Sequence, residues 1–259
     1  MRAVLTRDAE RSSEYLSALA QHGIVATCLP VTTTAAALDQ AALLGAARVA
    51  HSYDAIGFAS HASIRPFVAA LTASGGAIGP NAIVVAVGAA TERTLANHGI
   101  TATVAQQANA EGLAATIVAQ LTAHQRMGRG APARVLLPRA ENGRVETGIA
   151  LRRAGLIVDE VIAYRTQGRP LASLTNADAQ VLAELRNGDI RVLCLFAPSQ
   201  VAALATLLGT APHLPGNLAQ RVIAIGETTA QALYRAGITQ VTVAQAPTPH
   251  ALAAAAVLA

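Results

Sequence analysis

Lysine and tryptophan are absent from this chain, and aromatic residues make up only 3% of it. All 19 Lys+Arg positions are arginine. A chain without a lysine amine cannot form a Schiff base with a carbonyl substrate or pyridoxal phosphate, and it lacks the phosphate-binding lysine of Walker-type nucleotidases. Because much of the apolar content is alanine, we expect close packing and many helices.

Cysteine and histidine give no sign of a metal or redox site. Cys28 and Cys194 lie far apart, and neither belongs to a CxxC pair, so we expect buried, reduced thiols. The 7 histidines show no HxH, HxxxH or HExxH spacing. GxSxG and GxGxxG motifs are also missing, which removes support for hydrolase triads and dinucleotide binding. We therefore expect no metal and no organic cofactor.

The net charge of +4 favours an anionic partner. The arginines are scattered, however, and no basic stripe is interleaved with aromatic residues, which counts against nucleic acid. A polyanionic small molecule is the better interpretation. The apolar runs fall short of the roughly 20 residues that a membrane span needs, and the first one is too short for a signal peptide. We expect a soluble, cytoplasmic protein with no membrane contact.

The chain contains an internal duplication. Residues 84–101, VVAVGAATERTLANHGIT, recur as residues 222–239, VIAIGETTAQALYRAGIT. RAVLTR at residues 2–7 similarly matches RVLLPR at 134–139, and FASHASI at 58–64 matches LFAPSQV at 195–201. A period this long indicates two copies of a domain-sized α/β unit.

Short β-branched segments alternate with helical segments in both copies; residues 9–22, for example, are predicted to form a helix. This alternation predicts parallel sheets covered on both faces, and ligands of such sheets bind beyond the carboxyl ends of the strands. There the chain offers turns of small or hydroxylated residues whose N–H groups favour anions. Capping remains an alternative for Ser63, Ser199, Thr228 and Thr229, and a tight turn remains one for Gly88 and Gly226. We expect a branched side chain at Gly226 to crowd its turn.

A series of short motifs carries a resemblance to a known family. They are, in order, TR (6–7), FAS (58–60), VGAAT (87–91), EGLA (111–114), RVLLPRAENGR (134–144), LRRAG (151–155), YRT (164–166), APS (197–199) and IGETTAQAL (225–233). In this order they resemble the uroporphyrinogen-III synthase family over essentially the whole chain. The chain departs from the family pattern at Asp8, at His61 and at Leu195-Phe196-Ala197.

The resemblance implies an α/β fold of two similar parallel-sheet domains joined by a two-stranded linker, with a cleft between them. One domain would be discontinuous, residues 1–33 plus 167–259, and the other would be residues 38–161. The linkers would lie at about 30–37 and 162–169.

The implied reaction is closure of hydroxymethylbilane, a linear tetrapyrrole with eight carboxylates, to uroporphyrinogen III with loss of water and inversion of ring D. The resemblance implies Tyr164 as the catalytic residue, since a phenol can donate a hydrogen bond to the departing hydroxyl. The alternative is that Tyr164 only packs at a strand end with its hydroxyl in solvent. The strand-end turns and the resemblance together imply substrate binding by the following residues: Arg7, Ser60, Ser63, Gly88, Thr91, Arg139, Ser199, Gly226, Thr228 and Thr229.

The resemblance also implies a monomer that contacts the upstream deaminase only transiently. One alternative from another class stays open at this point. It is a non-catalytic two-domain protein that binds a tetrapyrrole or another anionic metabolite.

Overall fold

The computed structural model describes residues 1–124, 131–143 and 145–257, so Arg144 of the 134–144 motif lies outside the described residues. The strands are β1 (Arg2–Leu5), β2 (Val25–Cys28), β3 (Thr32–Ala36), β4 (Ala55–Phe58), β5 (Ile83–Ala86), β6 (Thr103–Val104), β7 (Arg134–Ala140), β8 (Ile157–Gly168), β9 (Val192–Leu195), β10 (Arg221–Ala224) and β11 (Val241–Val243). The α-helices are α1 (Ser13–Gln21), α2 (Gln40–Arg48), α3 (Ile64–Ser74), α4 (Ala89–Ala96), α5 (Ala110–Ala123), α6 (Glu146–Arg153), α7 (Asn176–Asn187), α8 (Pro198–Leu208), α9 (Glu227–Arg235) and α10 (Pro249–Val257). Short 3-10 helices lie at Ala50–Ser52, His61–Ser63 and Leu171–Ser173.

The strands form two sheets. Sheet 1 has 5 strands in the order β11-β10-β9-β1-β2, and sheet 2 has 6 strands in the order β6-β5-β4-β7-β8-β3. The pairs from β11 to β2 and from β6 to β8 are parallel. The predicted α/β architecture with parallel sheets is therefore confirmed.

The chain divides into two compact units, one around each sheet. Unit 1 comprises Met1–Thr33 and Gln167–Ala259, and unit 2 comprises Thr34–Thr166. The chain leaves unit 1 within β3 and returns to it within β8, and these two strands are neighbours in sheet 2.

Each sheet is built from both copies of the duplication. The first copy supplies β1 and β2 to sheet 1 but β4, β5 and β6 to sheet 2, and the second copy does the reverse. As a result β7 holds the place in sheet 2 that β1 holds in sheet 1, which explains why the segments at 2–7 and 134–139 match. A contiguous sequence copy is thus not a compact unit.

Both faces of each sheet are covered by apolar side chains. Along β9, Leu193 and Leu195 belong to one buried cluster, whereas Val192 and Cys194 belong to another. In β7, Leu136 similarly faces one cluster of unit 2, and its neighbours on either side face a second. Because successive side chains of a strand point to opposite faces, each sheet is sandwiched between two cores.

Strand composition sets the position of each strand in its sheet. The central strands β4, β5 and β9 are wholly apolar and buried along their length, as parallel strands covered on both faces must be. The edge strand β6 is short and exposed.

The two cysteines differ in burial. Cys194 in β9 is buried, which raises the pKa of its thiol to about 12. The other thiol, at Cys28 in β2, is only half-buried, which corrects the expectation of two buried cysteines.

The repeated glycines that end the helical segments have a backbone reason. Gly99 and Gly237 follow α4 and α9 with φ of 73° and 96°, in the left-handed region that favours glycine. The duplication therefore preserves a helix stop in both copies.

Some helices differ from the sequence-based expectation. α1 begins at Ser13 and not near residue 9, because the N–H of Arg11 and the hydroxyl of Ser12 bond to Asp8 in a preceding turn. The sequence patterns also did not identify α2, α5 and α10. α5 and α10 are apolar on nearly all sides and so lack the contrast between faces that marks a surface helix. Among the described residues, no helix is long and apolar enough to cross a membrane.

Candidate functional site

A cavity of about 330 Å³ lies in unit 2 at the carboxyl ends of the sheet strands. Its walls come from the ends of β4, β5 and β7, from β8 at Tyr164, and from the starts of α5 and α6. It is lined by Ala59, Ser60, Val87, Ala108, Asn109, Ala110, Arg139, Ala140, Gly143, Thr147 and Tyr164. The structure thus brings three of the residues predicted from the sequence, Ser60, Arg139 and Tyr164, to one place.

Tyr164 reaches this cavity because of an irregularity in β8. The register runs from Arg139 paired with Ile162 to Ala140 paired with Tyr164, so Ala163 is an extra residue on β8. Such a bulge breaks the alternation of side chains and redirects those that follow. Ala163 and Tyr164 accordingly pack into the same buried cluster, which a regular strand would not allow.

The phenol of Tyr164 is hydrogen-bonded to a serine that also lines the cavity. Its hydroxyl donates a hydrogen bond to Oγ of Ser60 at 3.2 Å, and the ring is only 9% exposed. Ser60 Oγ also accepts from the N–H of Ala62 at 3.2 Å, which caps the short helix after β4. Ser60 therefore caps this short helix and also orients Tyr164, whereas Ser63, for which capping was the alternative interpretation, makes no side-chain cap bond at the start of α3.

Arg139 is engaged by the protein itself. Its Nη1 donates to the carbonyl oxygens of Ala140 and Glu141 at 3.0 and 3.3 Å. Nε lies 2.7 Å from Oε2 of Glu160 as an ion pair, without the alignment of a hydrogen bond. Glu160 is shared with Arg152, whose Nη1 lies 2.8 Å from Oε1. These contacts fix the chain after β7, so Arg139 shapes the cavity wall.

Sequence analysis did not identify two further polar residues that line the cavity, Asn109 and Thr147. Asn109 caps α5, with Oδ1 accepting from the N–H of Gly112 at 2.7 Å. Thr147 in α6 is buried, and its hydroxyl lies 3.3 Å from the carbonyl oxygen of Ala110. The only signal in the sequence was the position of Asn109 just before the EGLA motif, where a cap is expected.

The two helices that follow the repeated glycines begin without a side-chain cap, and one lies in each unit. α4 follows Gly88 in unit 2, and α9 follows Gly226 in unit 1. In each case the N–H of the third helical residue, Thr91 or Thr229, donates back to the glycine carbonyl. The first two N–H groups of each helix have no partner inside the helix, so both helix starts offer donors to an anion.

The expectation that a side chain at Gly226 would crowd its turn is wrong. Its φ is −175°, which is extended backbone open to any residue, and a Cβ built there meets nothing within 4 Å. At Gly88, with φ of −171°, a Cβ would make an ordinary contact of 3.7 Å with Ala108. The fold itself therefore requires glycine at neither position, and the space beside Gly226 is free.

The remaining hydroxyl residues divide into buried and exposed ones. Ser63 is fully buried, and its hydroxyl donates to the carbonyl oxygen of Ser60 at 2.7 Å. Thr91 and Thr229 are also buried, at 4% and 1% exposure. By contrast, Ser199 in the first turn of α8 and Thr228 in α9 are exposed at the edge of sheet 1.

The carboxyl edge of sheet 1 is tied together by a glutamine that sequence analysis did not identify. Oε1 of the buried Gln200 lies 2.7 Å from Oγ1 of Thr6 and accepts from the N–H of Phe196 at 2.7 Å. Gln200 thereby links the ends of β1 and β9 to α8. Arg7, the next residue after Thr6, lies over the rings of Tyr15 and Phe196.

A second buried tyrosine lies near the amino-terminal ends of the sheet 2 strands. The hydroxyl of Tyr53 donates to Oδ2 of Asp159 at 2.8 Å, and the guanidinium of Arg134 lies 4.9 Å from the ring centroid. Burial, followed by the hydrogen bond and charge of Asp159, raises the pKa of Tyr53 to about 12. This tyrosine braces the strands, whereas Tyr164 faces a cavity.

The cavity in unit 2 can present a phenol and a serine hydroxyl to a ligand, and the two helix starts can present backbone donors. No group of three His, Cys, Asp or Glu side chains is placed to hold a metal ion within the part of the chain that the structure describes. The phenol and the serine hydroxyl can thus form hydrogen bonds without carrying a charge, and the backbone donors can bind an anion.

Comparisons with known proteins agree with this picture. The chain is similar over 97% of its length to a mutant uroporphyrinogen III synthase from the extremely thermophilic bacterium Thermus thermophilus, at 19% identity, covering 95% of that chain with a TM-score of 0.51. It is also similar to the uroporphyrinogen-III synthetase of Helicobacter pylori, at 17% identity, with 99% of both chains covered and a TM-score of 0.52. These two structures confirm the fold. No match was found among curated proteins. The family model for uroporphyrinogen-III synthase HemD matches residues 13–254, and the chain therefore belongs to the uroporphyrinogen-III synthase HemD family.

Proposed function

We propose that this protein closes hydroxymethylbilane to uroporphyrinogen III, with loss of water and inversion of ring D. The observation that carries the proposal is the family match across residues 13–254. Membership of this family makes the protein a cyclising lyase of porphyrin and heme biosynthesis. Its site suits the reaction, because the substrate supplies most of the reactivity: the pyrrole nitrogens expel the terminal hydroxyl, and the enzyme must hold a flexible polyanion in one arrangement.

Tyr164 is the residue that we assign to the chemical step. Its hydroxyl faces the cavity and is already oriented by Ser60. A phenol has a single O–H, so Tyr164 turns this O–H from Ser60 to the substrate in order to donate a hydrogen bond to the departing hydroxyl group, and it does so without introducing a charge. The cavity, at about 330 Å³, has room for part of the substrate, such as one pyrrole ring with its acid side chains, and not for a whole tetrapyrrole.

We assign carboxylate binding mainly to main-chain donors. The free N–H groups at the starts of α4 and α9 lie at the positive ends of the helix dipoles. Both the donors and the dipoles favour the binding of carboxylates. The absence of a side chain at Gly226 leaves space for a carboxylate to approach them. Ser199, Thr228 and Arg7 would add side-chain donors in unit 1. Arg139, Ser63, Thr91 and Thr229 would support the binding groups from within the fold.

The deciding experiment is product analysis. The purified protein is incubated with hydroxymethylbilane made enzymatically, the products are oxidised to porphyrins, and isomers I and III are separated. Spontaneous closure gives isomer I, so the ratio of isomers reports the activity directly. We expect isomer III to dominate with the wild-type protein and isomer I in a protein-free control. Product that is only isomer I, from a correctly folded preparation that still binds the substrate, would support a non-catalytic binding protein instead.

Three further properties belong to the same proposal. We infer that the two compact units are the two domains of the enzyme, that it works as a monomer in the cytoplasm, and that it needs no cofactor. The monomer is tested by light scattering at several protein concentrations. Cofactor independence is tested by dialysis against EDTA: formation of isomer III should continue, and a loss that added metal restores would contradict it. Transient contact with the upstream deaminase is tested by cross-linking during coupled turnover.

A further inference from the structure

Arg7 is held in an unusual way at the carboxyl edge of sheet 1. Its guanidinium carbon lies 4.8 Å from the ring centroid of Phe196 and 5.2 Å from that of Tyr15. The two rings contact each other edge to face, with centroids 5.0 Å apart and planes at 87°. Both distances to the guanidinium are within the range of a cation–π contact. Aromatic residues make up only 3% of the chain, and the guanidinium of Arg7 contacts two of their rings.

The guanidinium of Arg7 has no charge partner in the part of the chain that the structure describes. Within the described residues, its guanidinium has neither a carboxylate within ion-pair distance nor a hydrogen-bond acceptor. The neighbouring acidic residue, Asp8, turns to Arg11 instead: Oδ1 accepts from the N–H of Arg11 at 2.9 Å, and Oδ2 lies 3.7 Å from its Nε. Rings that stack on a guanidinium leave the N–H groups at its edge available for a planar anion.

Both rings are themselves anchored. Tyr15 lies on α1, and its hydroxyl donates to the carbonyl oxygen of Pro247 at 3.3 Å. The backbone N–H of Phe196 is fixed by the buried Gln200. The two side chains pack against the same core of unit 1. The arginine is therefore seated on a rigid support and not left to move freely in solvent.

The position of Arg7 relative to α9 suits a carboxylate-rich ligand. Arg7 follows β1 and Gly226 follows β10, with β9 between them. Two strand spacings separate β1 from β10, which is about 10 Å. A ligand that carries several carboxylates can thus engage the N–H groups of α9 with one acid group and Arg7 with another.

We propose that Tyr15 and Phe196 are positioning residues that hold the Arg7 guanidinium for one carboxylate of the tetrapyrrole substrate. This inference rests on the proposed function for the identity of the ligand. It adds to that function a binding subsite in unit 1 that is built from an arginine and two aromatic rings.

The test compares Phe196→Leu, which removes the ring but keeps an apolar side chain, with Phe196→Tyr, which keeps the ring. In the closure of hydroxymethylbilane, we expect Phe196→Leu to raise KM about two- to fivefold, the range of an exposed cation–π contact, and to leave kcat within about twofold. Phe196→Tyr should restore the wild-type KM. Tyr15→Leu, with Tyr15→Phe as its matched control, repeats the comparison from the other ring. It also replaces Phe196→Leu if urea unfolding shows that variant to be poorly folded.

A double-variant cycle separates positioning from a general structural effect. Arg7→Ala alone should raise KM more than either ring variant. In the Arg7→Ala background, Phe196→Leu should change KM no further, because the ring acts through the arginine. An equal increase in both backgrounds would overturn the proposal, as would an unchanged KM in Phe196→Leu.

A binding measurement separates this inference from the proposed function. Uroporphyrin, a stable macrocycle with eight carboxylates, is titrated into each variant and followed by its fluorescence. We expect Kd to rise in the same order as KM, with no additional effect of Phe196→Leu in the Arg7→Ala background. If the protein shows this pattern of Kd values but forms no isomer III, the binding subsite is supported and the proposed synthase activity is refuted. If the protein forms isomer III but Kd is equal in wild type, Arg7→Ala and Phe196→Leu, the binding subsite is refuted and the proposed synthase activity is supported.

Discussion

Replacing Tyr164 by phenylalanine separates the role of its hydroxyl from that of its ring. The ring is 9% exposed and packs in the core of unit 2, and phenylalanine keeps that packing. The substitution removes one hydrogen bond, from the phenol to Oγ of Ser60 at 3.2 Å. A bond of this kind contributes about 1 kcal/mol to the free energy of unfolding. Urea unfolding should therefore show a loss of no more than about 1 kcal/mol.

The effect on rate should be much larger. A single positioned donor to the departing hydroxyl contributes on the order of tenfold or more, so kcat should fall by at least about that factor. Ser60→Ala is the matched variant, because it leaves the phenol in place but removes the atom that orients it. We expect a smaller decrease for Ser60→Ala, and a double variant that is no slower than Tyr164→Phe, since both act through one hydroxyl.

The assay measures initial rates with enzymatically made hydroxymethylbilane, followed by separation of porphyrin isomers. The remaining activity of Tyr164→Phe should still give isomer III, because the shape of the site and not the phenol selects the product. Wild-type turnover in Tyr164→Phe would refute the assignment. A change of product to isomer I would mean that the tyrosine orients ring D and does not assist the loss of water.

Three further outcomes follow from the geometry. Gly226→Ala should change the free energy of unfolding by no more than about 0.5 kcal/mol, because the backbone at Gly226 is extended and the space beside it is free. The added methyl group should nevertheless raise KM, because it hinders access of the substrate to the N–H donors of α9. An unchanged KM would argue against ligand binding at this helix start. In urea unfolding, Ser63→Ala should cost about 1 kcal/mol for its buried hydrogen bond, whereas Ser199→Ala, at an exposed site, should be close to neutral; equal costs would contradict this. Burial raises the pKa of Asp178, but hydrogen bonds from Thr175 and Arg169 outweigh it and hold that pKa below its ordinary value. The carboxylate therefore stabilises the fold above about pH 4 and loses this effect as the pH falls through the folded pKa, so the difference in urea midpoint between wild type and Asp178→Asn should shrink in acid.

The sequence by itself determined the duplication and the elements that carry it. The matched glycines at 99 and 237 recur because each helix stops in the same left-handed conformation, a local requirement that the residue type alone reveals. Wholly apolar strands such as β9 similarly predict their own central place in a parallel sheet. Local rules of this kind also located the turns after β4, β5, β7 and β10, where the candidate binding groups lie.

Only the tertiary structure decided which strands pair and where the side chains point. β1 joins β9 of the other copy, because pairing depends on how distant segments pack and not on the order of the copies. The extra residue Ala163 turns Tyr164 into the cavity, and strand alternation in the sequence predicts no such bulge. Arg7 and Arg139 look alike in the sequence, each at the end of a matching strand. Their contacts differ, since Arg139 is paired with Glu160, whereas Arg7 lies over two rings and has no carboxylate within ion-pair distance among the described residues. These outcomes depend on contacts between residues far apart in the chain, which no local pattern encodes.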